Sequence, residues 1–276
     1  MSRNLFFENL GGPALARHHA LEFEDLEFFP RRLRSGITGI LKEIHRVVQF
    51  PRAIAEILTQ LREETGHTEI IDMGSGSGGA MPEVAKILAD QNSDLQITLT
   101  DLFPNPDAIT QVEDLDLPIR FHPRSVNAAA LPTEFNGIRT MSASFHHLPP
   151  NTATHVLRDA FERRAPIVIV EITSRTTLGF LSNLPAPLYA LILAPFIRPF
   201  RWQHLFFTWL LPIIPLVLLW DGMASCMRTY MPAELRKMTA DLQADDYKWE
   251  IGMRNLGLLP LRVPYLIGKP VDQDTR

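Results

Sequence analysis

Residues 69–79 read EIIDMGSGSGG, an apolar run that ends in a carboxylate and passes directly into a turn with four glycines. The apolar run predicts a buried strand, and the pattern of residues 80–90 predicts a helix directly after the turn. Glycines allow the backbone to approach a ligand that a Cβ atom would keep away, and the first turn of a helix offers free N–H donors. The stretch therefore predicts a nucleoside-type ligand held between a strand and a helix.

Two glycine patterns fit this turn. Gly74, Gly76 and Gly79 match G-x-G-x-x-G, which is typical of dinucleotide sites, while Asp72 and the first two of these glycines match an acid-x-G-x-G pattern. A carboxylate two residues before the first glycine would repel a pyrophosphate and attract a cation. We therefore favour a cationic ligand, and a nicotinamide-dependent oxidoreductase is the alternative.

A second carboxylate, Asp101, ends the next apolar run, which predicts a strand over 96–101. A carboxylate at this position can accept hydrogen bonds from both hydroxyls of a ribose, as the acid of dinucleotide-binding folds does. Asp72 and Asp101 thus follow successive strands, and together they predict one nucleoside site.

The stretch from residue 68 to residue 171 alternates short apolar runs with helical patterns, which is typical of a parallel sheet with crossover helices. Strands are predicted near 69–73, 96–101, 118–122, 138–145 and 166–172, and helices at 80–90 and 152–164. Two later runs, 247–253 and 261–267, predict strands whose short link would form an antiparallel pair. Before the sheet, apolar residues at helical spacing predict two helices within 37–61.

With these motifs, the chain resembles the class I S-adenosylmethionine (SAM)-dependent methyltransferases. The resemblance rests on residues 72–78, Asp101, the sequence SFHHL at 144–148 and the closing hairpin, and it spans roughly residues 66–268. It implies an α/β fold with a Rossmann-like methyltransferase sheet, mostly parallel and ending in an antiparallel hairpin, and SAM as the cofactor.

The resemblance also implies which residues would hold that cofactor. The methionine part would lie beside the glycine turn, and Asp101 would bind the ribose. Asn127 stands where the family often has an aspartate that holds the adenine amino group, and an amide carbonyl can accept the same hydrogen bond. The complete predicted set is Asp72, Gly74, Ser75, Gly76, Ser77, Asp101, Leu102, Asn127 and Ala128.

Three side chains near the predicted carboxyl edge of the sheet are candidates for catalysis: His146, His147 and Glu171. A histidine can take a proton from a hydroxyl or amine near neutral pH, although substrate positioning or packing is the alternative role. Adjacent histidines point in different directions, so we expect at most one to face the site. No metal site is predicted, because Cys226 is the only cysteine and the two histidines lack the spacing of ligands on a helix.

The segment between the fifth strand and the last helix is unusually apolar. From Leu178 to Trp220 the only formal charges are Arg198 and Arg201. Its densest part, residues 205–220, is shorter than the ~20 apolar residues of a membrane-spanning helix and contains two prolines. We therefore expect peripheral contact with a membrane or lipid, with a soluble lid over an apolar substrate or a plain buried core as alternatives.

Composition limits the remaining possibilities. With 46% hydrophobic and 21% charged residues the chain is globular, and a net charge of −4 does not provide the basic surface of a nucleic-acid-binding protein. One cysteine excludes an internal disulfide framework. The start of the chain has no segment like a signal peptide, so we expect a cytoplasmic protein, in peripheral contact with the inner face of the membrane.

The organisation predicted from the sequence has three parts. Residues 1–66 form a helical N-terminal cover, residues 67–172 and 230–276 form the SAM-binding methyltransferase domain, and residues 173–229 form a hydrophobic insertion. The predicted function is a SAM-dependent methyltransferase acting on a hydrophobic small molecule or lipid-linked acceptor. Besides the oxidoreductase, the alternative is a non-catalytic, membrane-associated module that binds SAM.

Overall fold

The computed structural model describes residues 14–90, 94–198, 200–257 and 261–271. Its contacts divide the chain into two compact units. The first, which we call the sheet unit, comprises residues 49–172, 232–254 and 264–276. The second, the helical unit, comprises residues 1–48, 173–231 and 255–263.

Seven strands form one sheet, numbered here in chain order. They are β1 Glu69–Met73, β2 Gln96–Thr100, β3 Ile119–Phe121, β4 Ile138–Ser142, β5 Ile167–Val170, β6 Tyr247–Asn255 and β7 Arg262–Pro270. Across the sheet their order is β3-β2-β1-β4-β5-β7-β6. Strands β1 to β5 are parallel, and β7 runs antiparallel to β5. The predicted Rossmann-like methyltransferase sheet with its antiparallel terminal hairpin is confirmed.

The strand order locates the place where a ligand would bind. The chain passes from β1 to β2 on one side and later returns to β4 on the other side of β1. In open parallel sheets this reversal opens a crevice at the carboxyl ends of the two strands, and ligands bind there. The turns after β1, β2 and β4 are therefore the ones that can form a site.

Helices are described in both units. They are α1 Arg31–Val47, α2 Phe50–Thr65, α3 Met81–Ala89, α4 Pro106–Glu113, α5 Pro150–Glu162, α6 Thr177–Asn183, α7 Ala186–Leu193, α8 Trp202–Leu205, α9 Ile213–Arg228 and α10 Pro232–Met238. The sequence did not predict α4, because its eight residues bury only Ala108 and Val112 and show no clear period. Its start is nevertheless encoded locally, since Asn105 accepts a hydrogen bond from the Asp107 amide and Pro106 occupies the first helical position.

The grouping of the N-terminal helices differs from the division expected between residues 66 and 67. Helix α2 packs on α3 and β5, within the sheet unit, whereas α1 packs on α7, α8 and α9 of the insertion. The reason is burial. The apolar face of α1 completes a core that the insertion helices share, so the insertion and residues 14–48 form one body.

Close contact within the helical unit depends on glycine at Gly39 of α1. A Cβ atom there would overlap with the Ile197 side chain, which is itself buried in the shared core. Gly36, one turn earlier, is similar, because its Cβ would lie 2.7 Å from Ile214 Cδ1. Glycine therefore lets α1 approach the insertion more closely than any other residue would.

We expect Gly39→Val to destabilise the helical unit by about 1–3 kcal/mol, because the added methyl groups overpack a filled core. The measurement is the free energy of unfolding from a urea titration followed by circular dichroism. Arg46→Val is the control, since it places the same side chain in the same helix at an exposed position. If the two variants are equally stable, the contact with Ile197 does not limit the approach of α1.

Two parts of the insertion pass a test for membrane-spanning length and composition. Residues Thr177–Phe196 form a 20-residue helical run with a mean hydropathy of 1.4, of which 22% of the tested window is buried. Residues Trp202–Leu210 and Ile213–Arg228 pass only as a pair, with a bend of 79° between them. The first run overlaps the apolar segment 178–220 but lies outside its densest part, 205–220, so the shortness of that part does not count against a span over the first run.

Candidate active site

The glycine turn after β1 is held by a carboxylate from the next strand. The amide of Gly76 donates a hydrogen bond to Asp101 Oδ2 at 2.7 Å, and the Ser75 amide donates to the Thr100 carbonyl at 3.0 Å. Gly76 has a φ of +54°, a conformation that L side chains rarely adopt, and a Cβ there would point into open space. The predicted residues Gly76 and Asp101 are thus in direct contact at the crevice.

Asp101 supports the two loops that flank it. Its Oδ1 accepts from the Phe103 amide at 2.8 Å, and its backbone carbonyl accepts from the Val126 amide at 2.8 Å. Each carboxylate oxygen has two lone pairs, so both remain able to accept from a ligand hydroxyl as well. Asp101 therefore stabilises the glycine turn and still offers the acceptors that a ribose requires.

Asp72 lies beneath this turn and is almost fully buried. Its Oδ2 accepts a hydrogen bond from the Ser75 hydroxyl at 2.6 Å, whereas its Oδ1 has no partner among the described residues. Burial, and after it the charge of Asp101, raise the pKa of Asp72 to about 7. A nearby cation would stabilise the ionised form and offset the cost of its burial. This environment favours a positively charged ligand, as the sequence pattern predicted.

Asn127 has a local role that the sequence analysis did not foresee. Its side-chain oxygen accepts from the Ala129 amide at 2.9 Å and caps a short 3-10 turn over Ala128–Ala130. The loop is tied back to the end of β2, because the Ser125 hydroxyl donates to the Leu102 carbonyl at 2.6 Å. Leu102 is about half exposed. The structure therefore places all four predicted residues of these two loops, Asp101, Leu102, Asn127 and Ala128, on adjacent connections.

Two of the three catalytic candidates form a buried pair. His146 lies in a 3-10 turn after β4, and Glu171 directly follows β5. The Glu171 carboxylate accepts from the His146 amide at 2.9 Å and lies 2.7 Å from His146 Nδ1, with both side chains at most 3% exposed. His147 is less buried, and its ring lies 4.3 Å from that of His146 between centroids. His146 is thus the histidine that Glu171 holds.

The carboxylate determines which nitrogen of His146 carries the proton. A carboxylate 2.7 Å from Nδ1 keeps the hydrogen on that nitrogen, and Nε2 is then the nitrogen that can take up a proton. Glu171 would also stabilise the imidazolium that proton uptake creates. The pair has the arrangement of a general base and the residue that positions it.

Ala143 and Ser144 also shape this part of the site, and neither was among the predicted site residues. Ala143 adopts a φ of +54°, which is strained for a residue other than glycine, and its amide donates to the Val170 carbonyl at 2.8 Å. The next residue, Ser144, donates from its hydroxyl to the Met73 carbonyl at 3.3 Å. These contacts join the ends of β1, β4 and β5. An alanine carries no signal of such a conformation, so only the structure reveals it.

Solved structures similar to this chain share the fold. The plantazolicin methyltransferase BpumL in complex with SAH has a TM-score of 0.56 and 11% identity, with 90% of this chain and 93% of that chain covered. This chain has the methyltransferase fold. BamL, a plantazolicin methyltransferase in complex with a triazolic desmethylPZN analog and SAH, has a TM-score of 0.50 and 10% identity, with 86% and 97% covered. Neither a protein-family model nor a curated protein sequence matches the chain.

At 10–11% identity, this likeness concerns the fold alone. It nevertheless covers nearly the full length of both methyltransferases, beyond the sheet that many nucleotide-binding proteins share. It confirms, at the level of the fold, the resemblance to class I methyltransferases that residues 72–78 and the hairpin carry.

We expect the stability of the ligand-free protein to depend on pH through Asp72. Its pKa of about 7 in the folded state lies above the ordinary 3.8, so the folded state binds more protons between these values. The free energy of unfolding must then fall as the pH rises through this window, by about 2–3 kcal/mol between pH 5 and pH 7. Asp72→Asn removes this contribution.

The measurement compares urea unfolding of the wild type and Asp72→Asn at pH 5, 6, 7 and 8. Glu24, whose pKa burial and the neighbouring Asp221 raise to about 8, adds the same trend to both proteins and cancels in the comparison. Parallel pH profiles for the two proteins would show that Asp72 is not held protonated.

Proposed function

We propose that the protein is a SAM-dependent methyltransferase. The observation that carries the proposal is the hydrogen bond between Gly76 and Asp101 above the buried Asp72, at the switch point of a sheet with the methyltransferase fold. The turn is hydrogen-bonded to the carboxylate of Asp101 and lies above the buried carboxylate of Asp72. Two carboxylates so close to the turn suit a nucleoside with a positive charge better than a dinucleotide with a pyrophosphate.

Each of the predicted residues would contact a different part of the cofactor. Asp101 would accept from the ribose hydroxyls, and Asp72 with the turn at Gly74–Ser77 would surround the charged methionine part. Leu102 would pack beside the adenine, and Asn127 and Ala128 would border it. SAM supplies an activated methyl group on a sulfonium, so the protein mainly contributes alignment and exclusion of water.

His146 and Glu171 would handle the proton of the acceptor. When a hydroxyl or amine is methylated, it loses a proton, and His146 Nε2 would take it while Glu171 stabilises the resulting charge. His147 lies beside this pair and is less buried, so it would position the acceptor rather than hold the proton.

The acceptor we propose is a hydrophobic small molecule or a lipid-linked compound. The insertion begins directly after Glu171, at the carboxyl edge of the sheet, and its first half contains no acidic residue. Apolar segments connected to this edge commonly supply the walls of a substrate pocket. We place the enzyme in the cytoplasm.

A nicotinamide-dependent oxidoreductase remains a competitor only through the spacing of Gly74, Gly76 and Gly79. The buried carboxylate of Asp72 and the antiparallel strand β7 oppose it. A non-catalytic SAM-binding module would lack a use for the His146–Glu171 pair, whose buried charge-assisted contact is costly to maintain without a function.

Calorimetry with SAM, with its demethylated product and with NAD tests the cofactor. We expect binding of the first two and none of NAD. Asp101→Ala should weaken SAM binding by roughly 30- to 1000-fold, because it removes hydrogen bonds worth about 2–4 kcal/mol. Asp107→Ala, an exposed carboxylate on α4, is the matched control and should bind as the wild type does.

Affinity for SAM should also rise with pH up to about pH 7, since the ionised form of Asp72 attracts the cation. An Asp101→Ala variant that stays folded and binds SAM with an unchanged dissociation constant would sink the assignment. Binding of NAD instead would favour the oxidoreductase.

His146→Ala should lower turnover by about 10²- to 10⁴-fold while leaving the dissociation constant of SAM nearly unchanged. The readout is release of the demethylated cofactor in the presence of a panel of hydrophobic phenols, amines and carboxylic acids. Glu171→Gln should lower turnover less, because it keeps a hydrogen-bonding partner for Nδ1 but loses the charge. His155→Ala, an exposed histidine on α5, is the control. If both His146→Ala and Glu171→Gln keep near wild-type rates, neither residue handles the proton, and the reaction depends only on the alignment of the acceptor with SAM.

A further inference from the structure

The insertion exposes apolar side chains on the side of its helices where a helix in water carries polar ones. Along α7, the buried residues Ala186 and Ala190 recur at a spacing of four, while Leu188 and Ile192 are more than half exposed. The smallest side chains therefore face the core and the largest face outward. This is the reverse of an amphipathic helix in a water-soluble protein.

Helix α9 and the segment before it also expose large apolar side chains, although large side chains fill the buried side of α9 as well. Ile214 and Leu218 pack into the core of the helical unit, whereas Leu216 is 62% exposed and Leu210, just before the helix, is 70% exposed. The core is complete without these outward side chains. Their exposure therefore needs an explanation other than internal packing.

The exposed side chains of the two halves stand on helices that pack against each other, and we call them together the apolar face. Helix α7 packs on α9 and on the segment that holds Trp209. The Trp209 indole N–H donates to the Leu191 carbonyl at 3.0 Å and joins the two halves at the surface. An exposed apolar surface of this extent marks an interaction site.

Charge and aromatic residues indicate what the apolar face contacts. Arg198 and Arg201 are exposed, and no acidic residue occurs between Glu171 and Asp221. Trp202, Trp209 and Trp220 are each about half exposed or more. Tryptophan is enriched at the boundary between lipid headgroups and acyl chains, and basic residues there attract anionic headgroups.

We propose that the apolar face docks on an anionic lipid bilayer, with its leucines among the acyl chains and Arg198 and Arg201 among the phosphates. The docking itself follows from the helical unit, and only its purpose, access to a lipid-soluble acceptor, rests on the proposed function. Prolines at 185 and 187 within the first apolar run, and the bend of 79° in the second, favour peripheral docking over a span.

Flotation of the full-length protein with vesicles tests the proposal. Vesicles of phosphatidylcholine containing about a third phosphatidylglycerol should carry the wild type upward, and the variant Leu188→Ser, Leu210→Ser, Leu216→Ser should stay below. Phe103→Ser, Leu115→Ser, Val47→Ser changes three exposed apolar residues outside the insertion, so it should float as the wild type does. Phe206 and Phe207 are kept because both are partly buried and Phe207 packs against the core of the helical unit.

The basic residues provide a second, independent measurement. Arg198→Gln with Arg201→Gln should weaken binding to the anionic vesicles by about 30-fold, and it should change binding to pure phosphatidylcholine little. Calorimetry with SAM on every variant shows that each remains folded. The wild type separates the two proposals: if it binds SAM but does not float, the docking alone is overturned, and if it floats but does not bind SAM, the proposed function alone is overturned.

Three outcomes would overturn the docking. The first is that the wild type does not float with anionic vesicles at low salt. The second is that the apolar face joins two copies of the chain, so that light scattering shows a dimer that the three serine substitutions dissociate. Resistance of the bound protein to alkaline carbonate extraction would show a membrane-spanning protein and not a peripheral one.

Discussion

The hydrogen bond from the Gly76 amide to the Asp101 carboxylate is the contact on which the site depends. It joins the turn after β1 to the end of β2 and thereby orders the turn. Without this bond, a turn with glycines at 74, 76, 78 and 79 would lose much of its order, because glycine restricts the backbone least. The backbone carbonyl of Asp101 also positions the loop after β3, because it accepts from the Val126 amide, so one residue connects three strands.

The carboxylate of Glu171 likewise stabilises a turn, on the other side of the crevice. Glu171 holds the backbone amide and the ring of His146, and it fixes a turn that begins with the strained Ala143. Such strain costs about 1–3 kcal/mol and persists only where surrounding contacts impose it. Here the contacts are the Val170 carbonyl and the Glu171 carboxylate. Both sides of the site are therefore held by acids at strand ends.

The helical unit follows a different rule from the sheet unit. In the sheet unit the strands are buried and their polar residues gather at the strand ends. In the helical unit Gly39 and the alanines of α7 lie at helix contacts within a core of large apolar residues, while further large apolar residues remain exposed on the surface. Small residues let helices approach closely, which maximises dispersion contacts, and they leave the larger side chains for an external apolar phase. The burial pattern supports an interface with lipid more directly than the composition does.

The sequence by itself determined the sheet and the location of the site, since strand periodicity and the glycine turn are local signals that the chain carries in a few consecutive residues. It predicted Asp72 and Asp101 as partners because both follow strands. Only the tertiary structure decided that Glu171 binds His146, that Asn127 caps a turn and that α1 joins the insertion, not the sheet. Each of these depends on residues far apart in sequence or on a backbone conformation such as that of Ala143, and neither periodicity nor residue type records which distant surface a side chain will meet.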